Sequence, residues 1–380
     1  MTGVAGATIA LVAALSVLNG LEDLIRNIYY TFDAEIRVTA VKGKSFEVNE
    51  PFLDSISSVE GVAVITEVIE DDALLKYRDR QMVVKLKGVS DNFSFQNHLD
   101  SMIVEGDYML HKRGINYAII GRGVQYLLSV SLDDGLYPLQ FWYPKTKKAL
   151  NLNPEKAFNR KNIWAGAAFA IEKQYDDSYV FVPLDFSKQL FEYDNKRTSL
   201  EIKTKSYVQI DKVKKAIQEK LGNKYLVQNS DEQHASLLRA IKIEKFFVTL
   251  TLSVILALAS VGIFFSLTML VIEKKKDVAI LFAMGAPVKF IKKIFLTEGI
   301  IIGLTGAGLG LILGFTLCWA QQTFGIVSMG MKTSIVDAYP VKMQLTDFIY
   351  TGITIFIITL FVSYGPAIRA AKVDISSNLY

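Results

Sequence analysis

Residue types that carry chemistry are thinly spread along this sequence. His98, His111 and His234 stand far apart, without the short spacings that gather metal ligands, so they read as structural or surface residues. The one cysteine, Cys318, lies in an apolar run, which excludes an intrachain disulfide. "VKGKS" (Val41 to Ser45) ends like a loop whose backbone N–H groups and lysine cradle a phosphate, but Val38 stands where that motif needs its first glycine, and no long helix follows. "GRG" (Gly121 to Gly123) reads as the start of a helix, and the acidic pairs Asp71–Asp72 and Asp133–Asp134 read as turns. Nothing resembles a Ser/His/Asp arrangement. The expectation is a non-catalytic chain, with no cofactor-binding or metal-ligating residues of its own.

The elements that must position any site are mostly apolar. Hydrophobic residues make up 51% of the chain and charged ones 21%, and the former concentrate at the two ends, as in a membrane protein. A net charge of +4 is too mild to imply a nucleic-acid partner. The fold class expected is a membrane protein with four transmembrane helices and a large exported α+β domain between helices 1 and 2.

The first span (1–20) contains "VAGATIALVAALSVL", apolar from Val4 to Leu18 but short at its front, which raises the expectation that it is truncated before Met1. It lacks the basic flank of a signal peptide, and Gly3, Ala7, Ala10 and Ala14 repeat at helical spacing, a face suited to close packing in lipid. The second span (246–272) has no charge over about 40 Å of helix, longer than a hydrocarbon core of about 30 Å. "DEQHASLLRAIKIEK" before it is expected to be an amphipathic helix continuing into it as a stalk. The third span (294–319) carries a helix-packing stripe of Gly299, Gly303, Gly306, Gly310 and Gly314, with Glu298 near its start. The fourth (348–365) is expected to stop at Gly365 and Pro366. The basic 273–293 segment and the 366–380 tail with Arg369 and Lys372 belong on the cytoplasmic side, and the 320–347 connection and the 21–245 domain on the other.

In that domain, period-two alternation predicts strands near 35–41, 63–69, 81–87, 179–183 and 198–204, and helical patterns cover 52–59, 185–193 and 210–222, the last closing on Gly222. Interleaved strands and helices suggest a mixed α+β domain of two lobes. The stretch 141–163 reads as a loop; it and 166–178 are candidates for contacting a partner.

"EKKKDVAILFAMGAPVKFIKK" (273–293) sets six lysines around a short apolar run. Val278, Ile280, Leu281, Phe282 and Met284 make an apolar surface far too short to span, so lipid or protein must cover it. Gly285 and Pro287 end one helix and start the next, as a rigid elbow. Read from residues alone, an interfacial amphipathic helix with snorkelling lysines is a full alternative to a protein-docking segment.

The segment 272–314 resembles the hallmark of ABC permeases of the MacB, FtsX and lipoprotein-releasing (Lol) type. There a charged start leads into Ile-Leu-x-Ala-x-Gly-Ala, then basic residues, Phe-x-x-Glu-Gly and a glycine-rich span. The matching positions are Glu273, Asp277, Ile280, Leu281, Ala283, Gly285, Ala286, Phe295, Glu298 and Gly299. Lysines stand in place of the family's arginines, and Pro287 takes a place often held by serine. "LSVLNGLEDLI" (Leu15 to Ile25), "YDDSYVFVPLDFSKQLF" (175–191) and "YGPAIRAAKVDISSNL" (364–379) resemble the Lol branch, the first at an Asn-Gly turn after helix 1, the last with Gly365 and Ile375 as departures.

The resemblance implies a bacterial inner-membrane permease with its large domain in the periplasm, a second permease copy or paralogue, and a separate cytoplasmic ATPase dimer carrying ATP and Mg. Glu273, Asp277, Ile280, Leu281, Phe282, Met284, Gly285 and Ala286 would couple to that ATPase. A lipoprotein's lipid anchor would enter beside Val17, Leu18, Phe246, Phe247 and Leu250 and pass to a periplasmic carrier. A MacB-like exporter of peptides or small molecules, and an FtsX-like signal transmitter controlling a cell-wall hydrolase, are the other readings the superfamily allows.

Overall fold

The computed structural model describes residues 2–96, 99–132, 135–145, 157–206, 208–328 and 338–372, with the backbone alone for 27–32. Residues 25–235 form one compact unit, and the described residues up to 24 and from 236 onward form the other.

Helix α1 (Thr2–Phe32) comes first. Strands β1 (Ile36–Ala40), β2 (Phe46–Glu47), β3 (Val62–Tyr77), β4 (Arg80–Val89), β5 (Ile103–Gly106), β6 (His111–Lys112) and β7 (Ile115–Gly121) follow. Strands β8 (Leu139–Pro144), β9 (Phe158–Phe169), β10 (Tyr179–Pro183), β11 (Lys196–Arg197), β12 (Ser199–Thr204) and β13 (Tyr225–Asn229) complete the described set. Helices α2 (Glu50–Ser57), α3 (Phe93–Gln96), α4 (Arg122–Leu128), α5 (Lys173–Asp176), α6 (Leu184–Phe191), α7 (Ile210–Leu221) and α8 (Ser230–Gln233) interleave with them. Then come α9 (Ala235–Glu273), α10 (Lys275–Ala283), α11 (Val288–Phe324) and α12 (Leu345–Ala370).

Within residues 25–235 the fold is α+β. The main sheet runs β13-β1-β12-β3-β4-β10-β7-β9-β5, and β8 pairs with both β3 and β9, so β3, β4, β10, β7, β9 and β8 close into a ring. Alternating residues of that ring, among them Leu75, Leu86, Ile120, Phe141, Ile163 and Val180, fill its inside. The second lobe joins β13, β1 and β12 to the first half of β3 and packs α2 and α7 on it through Ile36, Val38, Ile56, Leu200, Val213 and Ile217. Asn49 caps α2 by accepting from the Phe52 amide at 3.0 Å, and Gly222 ends α7 at a φ of +70°. A buried pair, Lys87 Nζ to Glu201 Oε1 at 2.7 Å, links β4 to β12, with the ammonium also near the rings of Phe93 and Phe181.

Several expectations need correction here. Asp71 and Asp72 lie in the middle of β3, paired with Leu86 and Lys85, and not in a turn. Tyr143 donates to Asp71, and Lys85 pairs with Asp72 at 3.4 Å, so neighbouring strands supply the partners that a turn would have left to water. The stretch 141–163 is not all loop: 141–144 end β8 and 158–163 begin β9, where Arg160 stacks 3.9 Å over the Trp142 ring. Residues 166–178 are likewise the end of β9 and α5. The Asp133–Asp134 pair and His98 lie outside the described residues. Helical reading at "GRG" agrees with α4, which starts on Arg122.

In the other unit, four helices are long and apolar enough to cross a membrane: α1 over Thr2–Arg26, α9, α11 and α12. Val4, Leu256, Ile263, Leu267, Ala307 and Ile355 meet in one cluster, so all four helices share a core. The amphipathic stretch before residue 246 does not run through from Asp231. It breaks at His234, and α9 then continues for 39 residues without interruption. Helix α12 does not stop at Gly365 and Pro366 but runs to Ala370. A proline in a helix interior costs a hydrogen bond and a steric clash, and burial of Pro366, Ala367 and Ala370 offsets it, the alanines packing with Val271, Ile291 and Phe295. The expected turn at Asn19 and Gly20 is also absent, because both residues lie inside α1.

Candidate functional site

The elbow between α9 and α11 is built by three backbone events. Helix α9 ends at Glu273, α10 ends at Ala283 with Met284 as its C-cap, and Gly285 takes a φ of +91°, a conformation that penalises any residue with a Cβ. The Gly285 amide donates to the Phe282 carbonyl at 2.9 Å and the Ala286 amide to the Leu281 carbonyl at 3.0 Å, closing the helix end. Pro287 then occupies the N-cap of α11 in an extended conformation.

Packing sorts the apolar residues of α10 into two groups. Val278 is not part of an open surface: it is buried with Val271, Ile291 and Phe295, and Leu281, Phe282 and Ala286 pack partly against the same cluster. Ile280 and Met284, one turn apart on one face, stay 49% and 71% exposed. Around them Glu273, Asp277 and Gly285 are exposed, with Lys274 pairing to Asp277 at 3.2 Å. The open patch is therefore small, apolar at its centre and charged at its edge.

The glycines of α11 serve two neighbours. A Cβ on Gly299 would sit 2.1 Å from Ser363 Oγ and one on Gly303 2.4 Å from Thr359 Cγ2, so the first half of the stripe admits α12. A Cβ on Gly310 would lie 2.7 Å from the Ala5 carbonyl and one on Gly314 3.3 Å from Val12, so the second half admits α1. Gly306 is buried between these halves. Small residues permit close backbone approach between apolar helices. The small face foreseen on α1 is only partly used: Gly3 and Ala10 are exposed and Ala7 and Ala14 half-buried, while α1 buries Val4, Thr8, Leu11, Val12 and Leu15. Close approach is supplied by the partner's glycines, which frees α1 to present larger side chains.

At the opposite end of the bundle from the elbow lies a polar cluster that the sequence reading missed. Asn19 of α1 donates to Asp347 Oδ2 of α12 at 2.5 Å and accepts from Lys245 Nζ of α9 at 2.6 Å. Lys245 is 3.8 Å from Asp347, and the Lys342 amide donates to the Ser16 carbonyl at 2.9 Å. Beside it, a Cβ on Gly20 would fall 2.4 Å from the Pro340 carbonyl oxygen, so the chain passes directly over α1 there. A signal existed: Lys245 and Asp347 each immediately precede an apolar run, at Phe246 and Phe348.

Val17 and Leu18 are half-buried on α1 next to this cluster, whereas Phe246, Phe247 and Leu250 on α9 are exposed. The Asn19–Lys245 bond brings the two helices together at this level. At the elbow end, Lys292 Nζ sits 4.0 Å from the Tyr364 ring centre and Arg369 lies over Phe264, tying α11 and α9 to α12. No group of three or more His, Cys, Asp or Glu placed to hold a metal occurs among the described residues.

The helical half of this arrangement, from α9 to α12, matches the FtsX-like permease C-terminal family over residues 249–375. Residues 249–375 are an FtsX-like permease domain. The lipoprotein-releasing system transmembrane protein LolC of Xylella fastidiosa is 22% identical over 98% of this chain and 90% of its own length. The corresponding LolE protein of Haemophilus influenzae is 23% identical, over 98% of this chain and 91% of its own. An uncharacterized ABC transporter permease of Methanocaldococcus jannaschii is 26% identical over 58% of this chain and 55% of its own. Among solved structures, the periplasmic region of MacB from Actinobacillus actinomycetemcomitans aligns with 57% of this chain and 97% of its own, at 8% identity and a TM-score of 0.38. The FtsX-like domain includes the elbow, the glycine stripe and Asp347, and α1 and the α+β unit lie outside it.

Proposed function

We propose that this permease extracts lipoproteins from a bacterial inner membrane and passes them to a periplasmic carrier, driven by a separate ATPase bound at the elbow. In this reading α1, α9, α11 and α12 span the bilayer. The α10–α11 elbow faces the cytoplasm, where its lysines satisfy the positive-inside bias, and the α+β unit is periplasmic. Two permease chains, identical or paralogous, stand above an ATPase dimer that holds ATP and Mg.

The observation that carries the coupling is the geometry of Ile280 and Met284. They are exposed on a short helix fixed at one end by Gly285 and at the other by α9, which runs unbroken from Ala235 to Glu273. Force on α10 therefore enters a rod about 58 Å long at the helical rise per residue. Glu273, Asp277, Leu281, Phe282 and Ala286 support or rim that contact.

Work is needed because each buried CH₂ of a lipid anchor holds it by about 0.8 kcal/mol. The exposed Phe246, Phe247 and Leu250, with Val17 and Leu18 near them, form the apolar surface such an anchor would follow. Relatives that carry the lipoprotein-releasing name over nearly their full length support this choice within the superfamily.

The test is to replace Met284 with Asp and, separately, Gly285 with Val in the full permease and to measure ATPase retention on affinity resin. Retention should fall for both variants. Unchanged retention together with unchanged transport would remove the coupling role.

A further inference from the structure

Helices α9, α10 and α11 enclose a cleft of about 310 Å³. Leu270, Leu281, Ile294 and Phe295 give it apolar walls, and its charged lining is one cation, Lys274, and two carboxylates, Asp277 and Glu298. Its volume is at the lower end of small-ligand pockets. Lys274 is paired with Asp277 at 3.2 Å, but Glu298 is half-buried and has no hydrogen bond or ion pair among the described residues. A carboxylate partly withdrawn from water beside apolar side chains is costly without a cation.

The position of the cleft selects the cation's source. On one wall the apolar run of α9 ends at Ile272 and is followed by Glu273 and Lys274; on the other, Lys292 and Lys293 precede the apolar run beginning at Ile294. The cleft straddles both boundaries, so an occupant is polar at one end and apolar at the other. Glu298 lies ten residues beyond Val288, about 15 Å along α11 from the elbow.

We propose that this cleft is a binding site for an aminophospholipid, whose ammonium pairs with Glu298, whose phosphate lies toward Lys274 and whose acyl chain lies along Leu270 and Phe295. This rests on the reading that α9 and α11 span the bilayer. An occupant here wedges α10 against α11 and so sets the angle of the elbow.

The experiment places the full chain in nanodiscs of phosphatidylethanolamine or of phosphatidylglycerol and counts retained lipids by native mass spectrometry. Phosphatidylethanolamine should be retained preferentially, and Glu298→Gln should weaken that preference about tenfold, as loss of a charge-assisted bond implies. Glu298→Asp should restore it in part, and Thr305→Val, on an exposed face of the same helix, should leave it unchanged. Equal retention of both lipids, full retention by the Gln variant, or a photo-reactive residue at 298 that captures the ATPase instead of lipid would each overturn the site. Carbonate extraction separates the two readings: a chain released from membranes overturns the spanning helices as well, whereas an integral chain without lipid preference overturns the lipid site alone.

Discussion

Asn19 and Asp347 are 328 residues apart in the chain and 2.5 Å apart in the structure, joined by an amide-to-carboxylate hydrogen bond. The same amide accepts from Lys245, so one side chain ties α1, α9 and α12 together. Replacing Asn19 with Leu removes these bonds, together with the one its Nδ2 donates to the Lys342 carbonyl at 3.3 Å, and leaves the part-buried Lys245 and Asp347 with only their longer contact. The expected cost is about 1–3 kcal/mol, from buried polar groups losing partners. Thermal melting of the detergent-solubilised chain checks this, and a variant that melts with the parent contradicts the tie.

Two glycines of α11 make opposite predictions. A Cβ on Gly303 meets Thr359 at 2.4 Å, whereas one on Gly308 meets nothing within 4 Å. Gly303→Ala should destabilise the bundle by about 1–3 kcal/mol through overpacking. Gly308→Ala should be neutral or should stabilise by up to about 1 kcal/mol, since alanine is the better helix former. Adding Thr359→Ala to the Gly303 variant should recover part of the loss. Equal melting temperatures for the two single variants would contradict the packing described.

Asp176 gives the α+β unit a pH dependence of unusual sign. Its side chain is buried at 7% exposure, with Oδ1 accepting from the Ile171 amide at 2.8 Å, and burial pushes its carboxyl up to about 6. Between about pH 4 and about pH 6 the folded chain thus binds more protons here than the unfolded chain. This contribution to stability is complete below the unfolded value and is lost as pH rises through the folded one. Asp176→Asn keeps an acceptor for Ile171 and should flatten that part of the stability profile. A wild-type slope that persists in the Asn variant would assign the effect to another group.

How much of this was legible in the sequence depends on which physical signal each residue carries. Long apolar runs marked α1, α9, α11 and α12, because chain length and hydropathy are local properties. Gly285 and Pro287 marked the elbow, because a positive φ and a fixed φ have residue-specific solutions. Partnerships were not legible. Nothing local says that Val278 turns inward while Ile280 stays out, or that Asp71 sits in a 16-residue strand, since tertiary pairing decides both. Pro366 misled for the same reason: its local cost is real, and burial of Ala367 and Ala370 outweighs it. Asn19 and Gly20 are legible only as a pair like the one in the Lol branch. Their reason, one bridging two charged residues and the other passing under Pro340, appears only when α1 meets the rest of its unit.

The elbow carries a prediction that separates docking from snorkelling. Met284→Asp adds charge to an exposed site, so it should leave the melting temperature within about 0.5 kcal/mol of wild type in stability terms. It should nonetheless abolish stimulation of transport by the ATPase. A variant that keeps its activity would return α10 to the role of an interfacial amphipathic helix.

The most direct measurement of the central claim reconstitutes the permease with its ATPase in proteoliposomes containing a fluorescent triacylated lipoprotein, and follows transfer to a soluble carrier. Transfer should require ATP, fall when Phe246 and Phe247 are replaced by Asp, and be accompanied by crosslinks from residue 250 to the lipoprotein. Absence of ATP-dependent transfer, with residue 250 crosslinking only to lipid or to a cell-wall hydrolase, would contradict lipoprotein release as the function of this permease.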